Sequence, residues 1–306
     1  KINPSFKNSE KIMDLASGTS GFLIESMKHM KKDVKEKKET RMLQSLLFGK
    51  EKKSKNYLLG ILNMMLQDIG TPEILNKNTI GATKIKDIVT EDQKYNVIIF
   101  NPTFDEKEDK DVANNMPASK KTCGTRFHFL YYAMKSLKEK GRCALILDNG
   151  PLFGGKGAPA DIKKELLENY NLHTIVRLPE SAFSPYSSIA TNILFFDAGK
   201  PTKDIWFYRM KIRDGLKNYN KSNPMLDSDF EDVLDWCKHK EENEFGYKKS
   251  VSDLKDFNLD IKHPDDDEVV IDMSPHDLIA QIISDEKKTL ELLTDVENLI
   301  NQEIPK

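Results

Sequence analysis

The nine residues DLASGTSGF, 14–22, leave an apolar run and enter a helical pattern, and their reading sets the fold. EKIMDLA (10–16) reads as a short buried strand, and a helix pattern runs from Gly21 to about Lys35. A strand that passes through a tight glycine turn straight into a helix is the opening unit of a doubly wound α/β sheet. In such sheets ligands bind in the crevice outside the strand carboxyl ends. Gly18 and Gly21 let backbone approach a ligand closely, and the helix N-terminus offers N–H groups without intrahelical partners. A Gly-x-x-Gly turn alone is weak evidence, because tight strand–helix turns use glycine anyway. The fuller G-x-G-x-x-G pattern is absent, so a nicotinamide dehydrogenase fits poorly.

Outward from this turn, the alternation continues. MLQSLLFGKE (42–51) reads as a second strand, preceded by the charge run KKDVKEKKETR, a solvated helix end. NYLLGILNMMLQDIG (56–70) reads as a helix with Gly70 as its C-cap. EILNKNTI and YNVIIFNP read as strands three and four. A helix (FHFLYYAMKSLKEKG), a strand (CALILDN) and a helix (ADIKKELLENY) follow, then strands LHTIVRLP, TNILFFDAG and DIWFYRM. Strands alternating with helices imply a mainly parallel sheet covered on both faces. The last strands are joined by loops only, which favours an antiparallel edge strand. Residues 1–212 are expected to form the main domain, and 213–274 an irregular extension of it with a short helix at Glu231 to His239. A final helix is expected within 275–306, with Ser274 as N-cap and Pro275 at its first position. Its apolar residues, including Ile279, Ile283, Leu290 and Leu293, suit either its own domain or a partner.

Composition removes several classes. Lys plus Arg (47) nearly cancels Asp plus Glu (49), for a net charge of −2, which argues against gripping nucleic acid by bulk charge alone. Cys123, Cys143 and Cys237 form no C-x-x-C pair, so neither a zinc site nor a disulfide framework is expected. No apolar run approaches the roughly 18 residues of a membrane span, so no membrane partner is expected. The chain opens on Lys1 without Met and reaches a strand at once, from which an absent upstream piece is expected.

Two further features bear on chemistry. Glu51 ends the second strand, where such folds place an acid on ribose hydroxyls. NVIIFNPTFDE (96–106) ends the fourth strand on Asn101, held by Pro102, with Thr103 and Phe104 beyond. The Asn101 side-chain carbonyl and the Pro102 main-chain carbonyl form a pair of acceptors, which suits an exocyclic amine, and Phe104 suits stacking on an aromatic base. Such a pair needs neither a metal nor a covalent nucleophile, but a base in a duplex must first be flipped out. An Asx-Pro turn closing a strand is the simpler reading of the same residues.

Taken in order, these segments resemble the modification (M) subunit of type I restriction–modification systems, an N6-adenine DNA methyltransferase family. The family's D-P-A-C-G-T-G-G-F stands against DLASGTSGF here, and its N-P-P-F against NPTF. GKEKKSKNYLLGILNMMLQDIG, GRCALILDNGPLFGG, LHTIVRLPESAFSPYSSIATNILFFD and NLDIKHP also match in character, so the likeness covers about residues 10 to 264. The resemblance implies a Rossmann-like S-adenosylmethionine-dependent methyltransferase fold and transfer of a methyl group to N6 of a flipped adenine. It implies that Asp14, Ala16, Gly18, Thr19, Gly21, Glu51 and Asn78 line the S-adenosylmethionine site, with Phe22 beneath the turn. It implies that Asn101 and Pro102 hold the amine while Phe104 stacks on the base. The partners it implies are double-stranded DNA, a specificity (S) subunit and a second M subunit, with the restriction (R) subunit as an optional further one. It places the protein in the cytoplasm of a bacterium or archaeon, the family's N-terminal helical domain before Lys1, and subunit docking on the final helix.

Thr103 and Ser20 depart from the family pattern, and Ser20 costs on the order of 1 kcal/mol if its position needs positive φ. They motivate an alternative, a catalytically impaired relative that binds cofactor or DNA as a scaffold. A small-molecule or RNA methyltransferase is a third, weaker reading. Lys107, Lys110, Lys120, Lys121 and Arg126 lie near the catalytic stretch and are candidates for phosphate contact, although each singly reads better as a solvated loop charge.

Overall fold

The structure is a computed structural model, and it describes residues 2–70, 72–82, 94–102, 110–264 and 274–303. The chain divides into two compact units, one ending at His263 and the other starting at Pro264.

The first unit is built on a nine-stranded sheet. β1 (Ile12–Asp14), β2 (Leu47–Glu51), β3 (Glu73–Asn76), β4 (Tyr95–Phe100) and β5 (Leu137–Asp148) run parallel. β6 (Tyr170–Arg177), β7 (Thr191–Ala198), β8 (Asp204–Arg209) and β9 (Gly246–Ser250) complete the order β3-β2-β1-β4-β5-β7-β6-β8-β9. β7 lies antiparallel between β5 and β6, and β9 is the antiparallel edge. The sheet is thus mainly parallel with an antiparallel edge, as expected. After β3 the chain crosses to the other side of β1, so a switch point lies between β1 and β4, where open α/β sheets bind ligands.

Helices cover both faces. α1 (Gly21–Lys31), α2 (Lys37–Gln44) and α3 (Ser54–Leu66) bury Leu23, Met27, Leu43 and Met64 against Ile12, Leu47, Ile74 and Val97. On the opposite face lie α4 (Thr79–Ala82), α5 (Thr125–Ser136) and α6 (Ala158–Asn169), over Met13, Ile98, Phe100, Leu145 and Leu147. α5 is buried without a break from His128 to Met134, which is why its sequence lacks a polar stripe. α7 (Glu231–His239) packs Val233 and Trp236 against Val176 and Tyr208.

Several local expectations fail for physical reasons. The strand at 42–51 begins only at Leu47, because the charge run before it forms α2. That helix starts where the Glu39 carboxylate accepts the backbone N–H groups of Lys35 (2.6 Å) and Glu36 (3.0 Å). α3 ends at Leu66, and Gln67, not Gly70, is its cap. The helix read through Gly141 stops at Ser136, and LKEKGR already belongs to β5. The irregular 213–274 extension contains the expected helix and also a strand, β9. β9 starts at Gly246, where the absence of a side chain lets the backbone pass Trp236: a Cβ there would sit 2.4 Å from the indole nitrogen.

The second unit contains α8 (Pro275–Glu303). The Ser274 hydroxyl accepts the Asp277 N–H (3.1 Å) and donates to its carboxylate (2.7 Å), the cap expected. Within this unit no second element covers the apolar side chains of Ile279, Ile283, Leu290 and Leu293 among the described residues.

Candidate active site

The parallel register brings the ends of β1, β2, β3 and β4 to one edge of the sheet. After β1 the chain turns sharply. Gly18 adopts φ +52°, and Ser20, the N-cap of α1, adopts φ +66°. Ser17 donates its N–H to the Lys50 carbonyl (2.9 Å), stapling the turn to β2. The Ser20 hydroxyl is fully buried and has no hydrogen-bond partner among the described residues. It fits because Gly60 of α3 faces it: a Cβ at Gly60 would meet the Ser20 Oγ at 2.7 Å and the Gly18 carbonyl oxygen at 2.9 Å. The first turn of α1 holds no acidic residue and no side-chain cap, so its N–H groups stay available to an anion.

Two cavities meet at this edge and share Ala16, Gly18 and Asn101. One, of about 140 Å³, is lined also by Leu15, Glu51, Asn78, Thr79 and Phe129, among others. The other, of about 590 Å³, is lined also by Asp14, Thr19, Gly21, Phe22 and Asn63, among others. Every cofactor residue expected from the sequence therefore lines one of the two: Asp14, Ala16, Gly18, Thr19, Gly21, Glu51 and Asn78. Phe22 is half-exposed in the second cavity wall instead of buried beneath the turn.

Glu51 is buried, and its carboxylate accepts the N–H groups of Gly18 (2.9 Å) and Lys53 (2.7 Å). It thereby ties the glycine turn to the β2–α3 turn, and each oxygen retains a lone pair for a further donor. Asp14 is buried, accepts only the Ala16 N–H (3.1 Å), and has no cationic partner among the described residues. Burial pushes its carboxyl up to about 7, the Glu51 charge adds to the rise, and the Ala16 N–H opposes it. Lys28, Lys52 and Lys53 also line the cavities, while the buried Asp14 carboxylate has no cationic partner among the described residues and is the group that suits a positively charged ligand.

Asn101 follows β4 directly, with Pro102 buried behind it. The Asn101 Oδ1 is buried and has no hydrogen-bond partner among the described residues, an acceptor beside the two cavities. Thr103 and Phe104 lie outside the described residues, as does Lys107. Lys120 pairs with Glu165 (3.1 Å) and Arg126 with Asp148 (2.6 Å), so both are engaged within the protein and are not solvated loop charges. Lys121 donates to the Asn114 side chain (3.3 Å).

Sequence reasoning missed the α3 wall and Thr79. Asn56, Gly60, Asn63 and Gln67 recur at spacings of four, three and four, a polar and small stripe along one face of the helix pattern. Asn63 donates to the Thr19 carbonyl (2.9 Å), and Asn56 and Gln67 line the two cavities. The stripe was readable as a helix face turned to the site and away from the core. Among the described residues no group of His, Cys, Asp or Glu is arranged to hold a metal ion.

A doubly wound sheet with its cavity at the β1/β4 switch point, a glycine turn and a strand-end acid is the Rossmann-like architecture of S-adenosylmethionine-dependent methyltransferases. Residues 3–270 match the family described as N-6 DNA Methylase, and the chain belongs to that family. It is similar to the type I restriction enzyme EcoEI methylase subunit of Escherichia coli, 39% identical over 98% of this chain and 62% of that protein. A modification subunit of a putative type I restriction enzyme from Vibrio vulnificus superposes with a TM-score of 0.79 at 38% identity, covering 86% of this chain and 57% of that one. A structure described as the basis of complex assembly and conformational transition of the type I R-M system gives a TM-score of 0.79 at 31% identity, covering 99% of this chain and 64% of that one. The chain spans about three-fifths of the length of these relatives.

Proposed function

We propose that this chain is the catalytic part of an N6-adenine DNA methyltransferase, the methylation subunit of a type I restriction–modification complex. The observation that carries the reading is the buried Asn101 Oδ1, an acceptor without a partner among the described residues, on the same sheet edge as the paired cavities and the buried carboxylates. The residues present fit S-adenosylmethionine. Asp14 and Glu51 suit its positive charge and its ribose hydroxyls, the uncapped start of α1 suits its carboxylate, and Asn78 and Thr79 wall the remaining space. When bound, the cofactor would supply an electrophilic methyl group on a sulfonium. The protein's own part is positioning and charge placement. The Asn101 amide oxygen accepts an amine hydrogen and draws off positive charge as the amine becomes a nucleophile, with the Pro102 carbonyl as the expected second acceptor and Phe104 as the expected stacking group. A base inside a duplex cannot reach this edge, so the target is a flipped adenine in double-stranded DNA.

With net charge near zero, sequence choice is assigned to a specificity subunit, with a second methylation subunit and, in restriction, the R subunit as further partners. Residues 1–212 with the extension to 274 form the catalytic domain, and α8 begins a docking region. Among the described residues no helix is long and apolar enough to cross a membrane. A location in the prokaryotic cytoplasm is part of the same proposal and rests on the likeness to bacterial type I methylase subunits. Asn101→Ala is expected to abolish methylation of target DNA by the assembled complex while retaining cofactor binding; persistent methylation would refute the assignment. The scaffold alternative draws on Ser20. That residue does occupy a left-handed conformation, at a cost of about 1–2 kcal/mol, yet the turn and α1 form around it.

A further inference from the structure

We infer that Asn63 is a positioning residue: from α3 it holds Ser20 in the left-handed shape that sets the start of α1 against the larger cavity. The inference rests on the function proposed above and deepens it. Ser20 has a φ of 66° and a ψ of 24°, a region in which a non-glycine residue persists only where its surroundings over-determine it. Both peptide groups flanking Ser20 are held. The peptide after it is fixed by the Ser20 carbonyl, which accepts the Ile24 N–H (3.0 Å) as α1 begins. The peptide before it is gripped from both sides. Its N–H, on Ser20, donates to the Ser17 carbonyl (2.6 Å), and its carbonyl, on Thr19, accepts the Asn63 side-chain N–H (2.9 Å).

The Asn63 bond comes from a different helix, and Gly60 makes it possible. Gly60 lies three residues earlier on the same face of α3. A Cβ there would meet the Ser20 Oγ at 2.7 Å and the Gly18 carbonyl oxygen at 2.9 Å, so glycine lets α3 come close enough for the Asn63 amide to reach Thr19. The effect reaches the site through Gly21, whose N–H belongs to the peptide after Ser20. No side chain caps this end of α1, and Gly18, Thr19, Gly21 and Asn63 all line the larger cavity. Without the Asn63 bond, the peptide between Thr19 and Ser20 can turn over, which relieves the left-handed serine and re-aims the N–H groups assigned to the cofactor carboxylate. A glycine at position 20 has no such drive, because it adopts positive φ at no steric cost.

The test is a double-mutant cycle in the full chain, pairing Asn63→Leu, which keeps the side chain's size and removes the donor, with Ser20→Gly. S-adenosylmethionine affinity is read by calorimetry and folding by thermal melting. Asn63→Leu is expected to raise the cofactor Kd about tenfold, the factor by which a non-glycine residue disfavours the left-handed region, while still melting cooperatively. In the Ser20→Gly background the same change is expected to alter Kd by no more than about twofold. An unchanged Kd in Asn63→Leu refutes the inference. So does an equal loss with and without Ser20→Gly, since Asn63 would then contact the cofactor itself or support only its own helix. Should Asn63→Leu not fold, Asn63→Ala, which removes the donor without adding apolar bulk, carries the same cycle. Absence of cofactor binding by the wild-type protein would overturn the proposed function together with this inference, whereas wild-type binding without rescue overturns the inference alone.

Discussion

Asp14→Asn is expected to make the protein more stable at pH 8 than at pH 5 relative to wild type, while weakening its cofactor site. The Asp14 carboxyl is fully buried and titrates near 7, against an ordinary 3.8, because burial penalises its charge and Glu51 repels it. A rise of about three units corresponds to about 4 kcal/mol. The folded protein binds this proton more tightly than the unfolded chain. The stabilisation is therefore complete below about pH 3.8 and is lost as pH rises through about 7. Of the total, about 2.5 kcal/mol falls between pH 5 and pH 8. An asparagine is neutral throughout and can still accept the Ala16 N–H. Urea unfolding of both proteins at the two pH values isolates the effect, since other titrating groups cancel in the difference. The stability of Asp14→Asn relative to wild type should rise by about 2.5 kcal/mol from pH 5 to pH 8. A pH-independent difference would refute the claim that Asp14 is a strained, ionisable group waiting for a cation. Calorimetry supplies the functional half. Under the proposed function S-adenosylmethionine would favour ionised Asp14, so binding below about pH 7 should release a proton and weaken as pH falls, and both effects should vanish in Asp14→Asn.

Two other outcomes follow from the turn and from the distal edge. Ser20→Gly should raise stability by about 1 kcal/mol, because it removes a left-handed serine and a buried hydroxyl without a partner. Gly60→Ala should cost about 1–3 kcal/mol by thermal melting, and Ser20→Gly should restore only part of it, since the Gly18 carbonyl still obstructs the new methyl group. Full restoration would show that the serine alone makes Gly60 necessary. Gly246→Ala should likewise cost about 1–3 kcal/mol by driving Cβ into Trp236, which donates its indole N–H to the Glu241 carbonyl (2.8 Å). It should leave cofactor affinity unchanged, because β9 is the sheet edge remote from β1; a parallel loss of affinity would contradict that separation.

Much of the site was legible because its signals are local. Asp14, Gly18 and Gly21 stand within eight residues, and the order strand, turn, helix assigns their side of the sheet. Glu51 and Asn101 end apolar runs, and in a parallel sheet all such ends share one edge. The failures are local readings overridden by distant partners. LKEKGR continues a helical pattern, but β4 and β7 recruit it as β5. GYKKS carries too few apolar residues to announce a strand, yet β8 pairs with all of it. Phe22 was placed under the turn by analogy, whereas Leu23 and Ile24 take the buried positions of that helix face.

The sequence alone determined the doubly wound architecture, the edge on which chemistry is placed, and the residue types arranged there. Each of these follows from periodicity, turn chemistry and the ends of short apolar runs. Tertiary structure decided the rest: the fit of Ser20 against Gly60, the raised carboxyl of Asp14 beside Glu51, the buried oxygen of Asn101, and the hold of Asn63 on the glycine turn. The contacts among them join segments 33 to 44 residues apart at distances near 3 Å. Hydrogen bonding, burial and charge act through space, so the residues that complete such contacts leave no pattern along the chain.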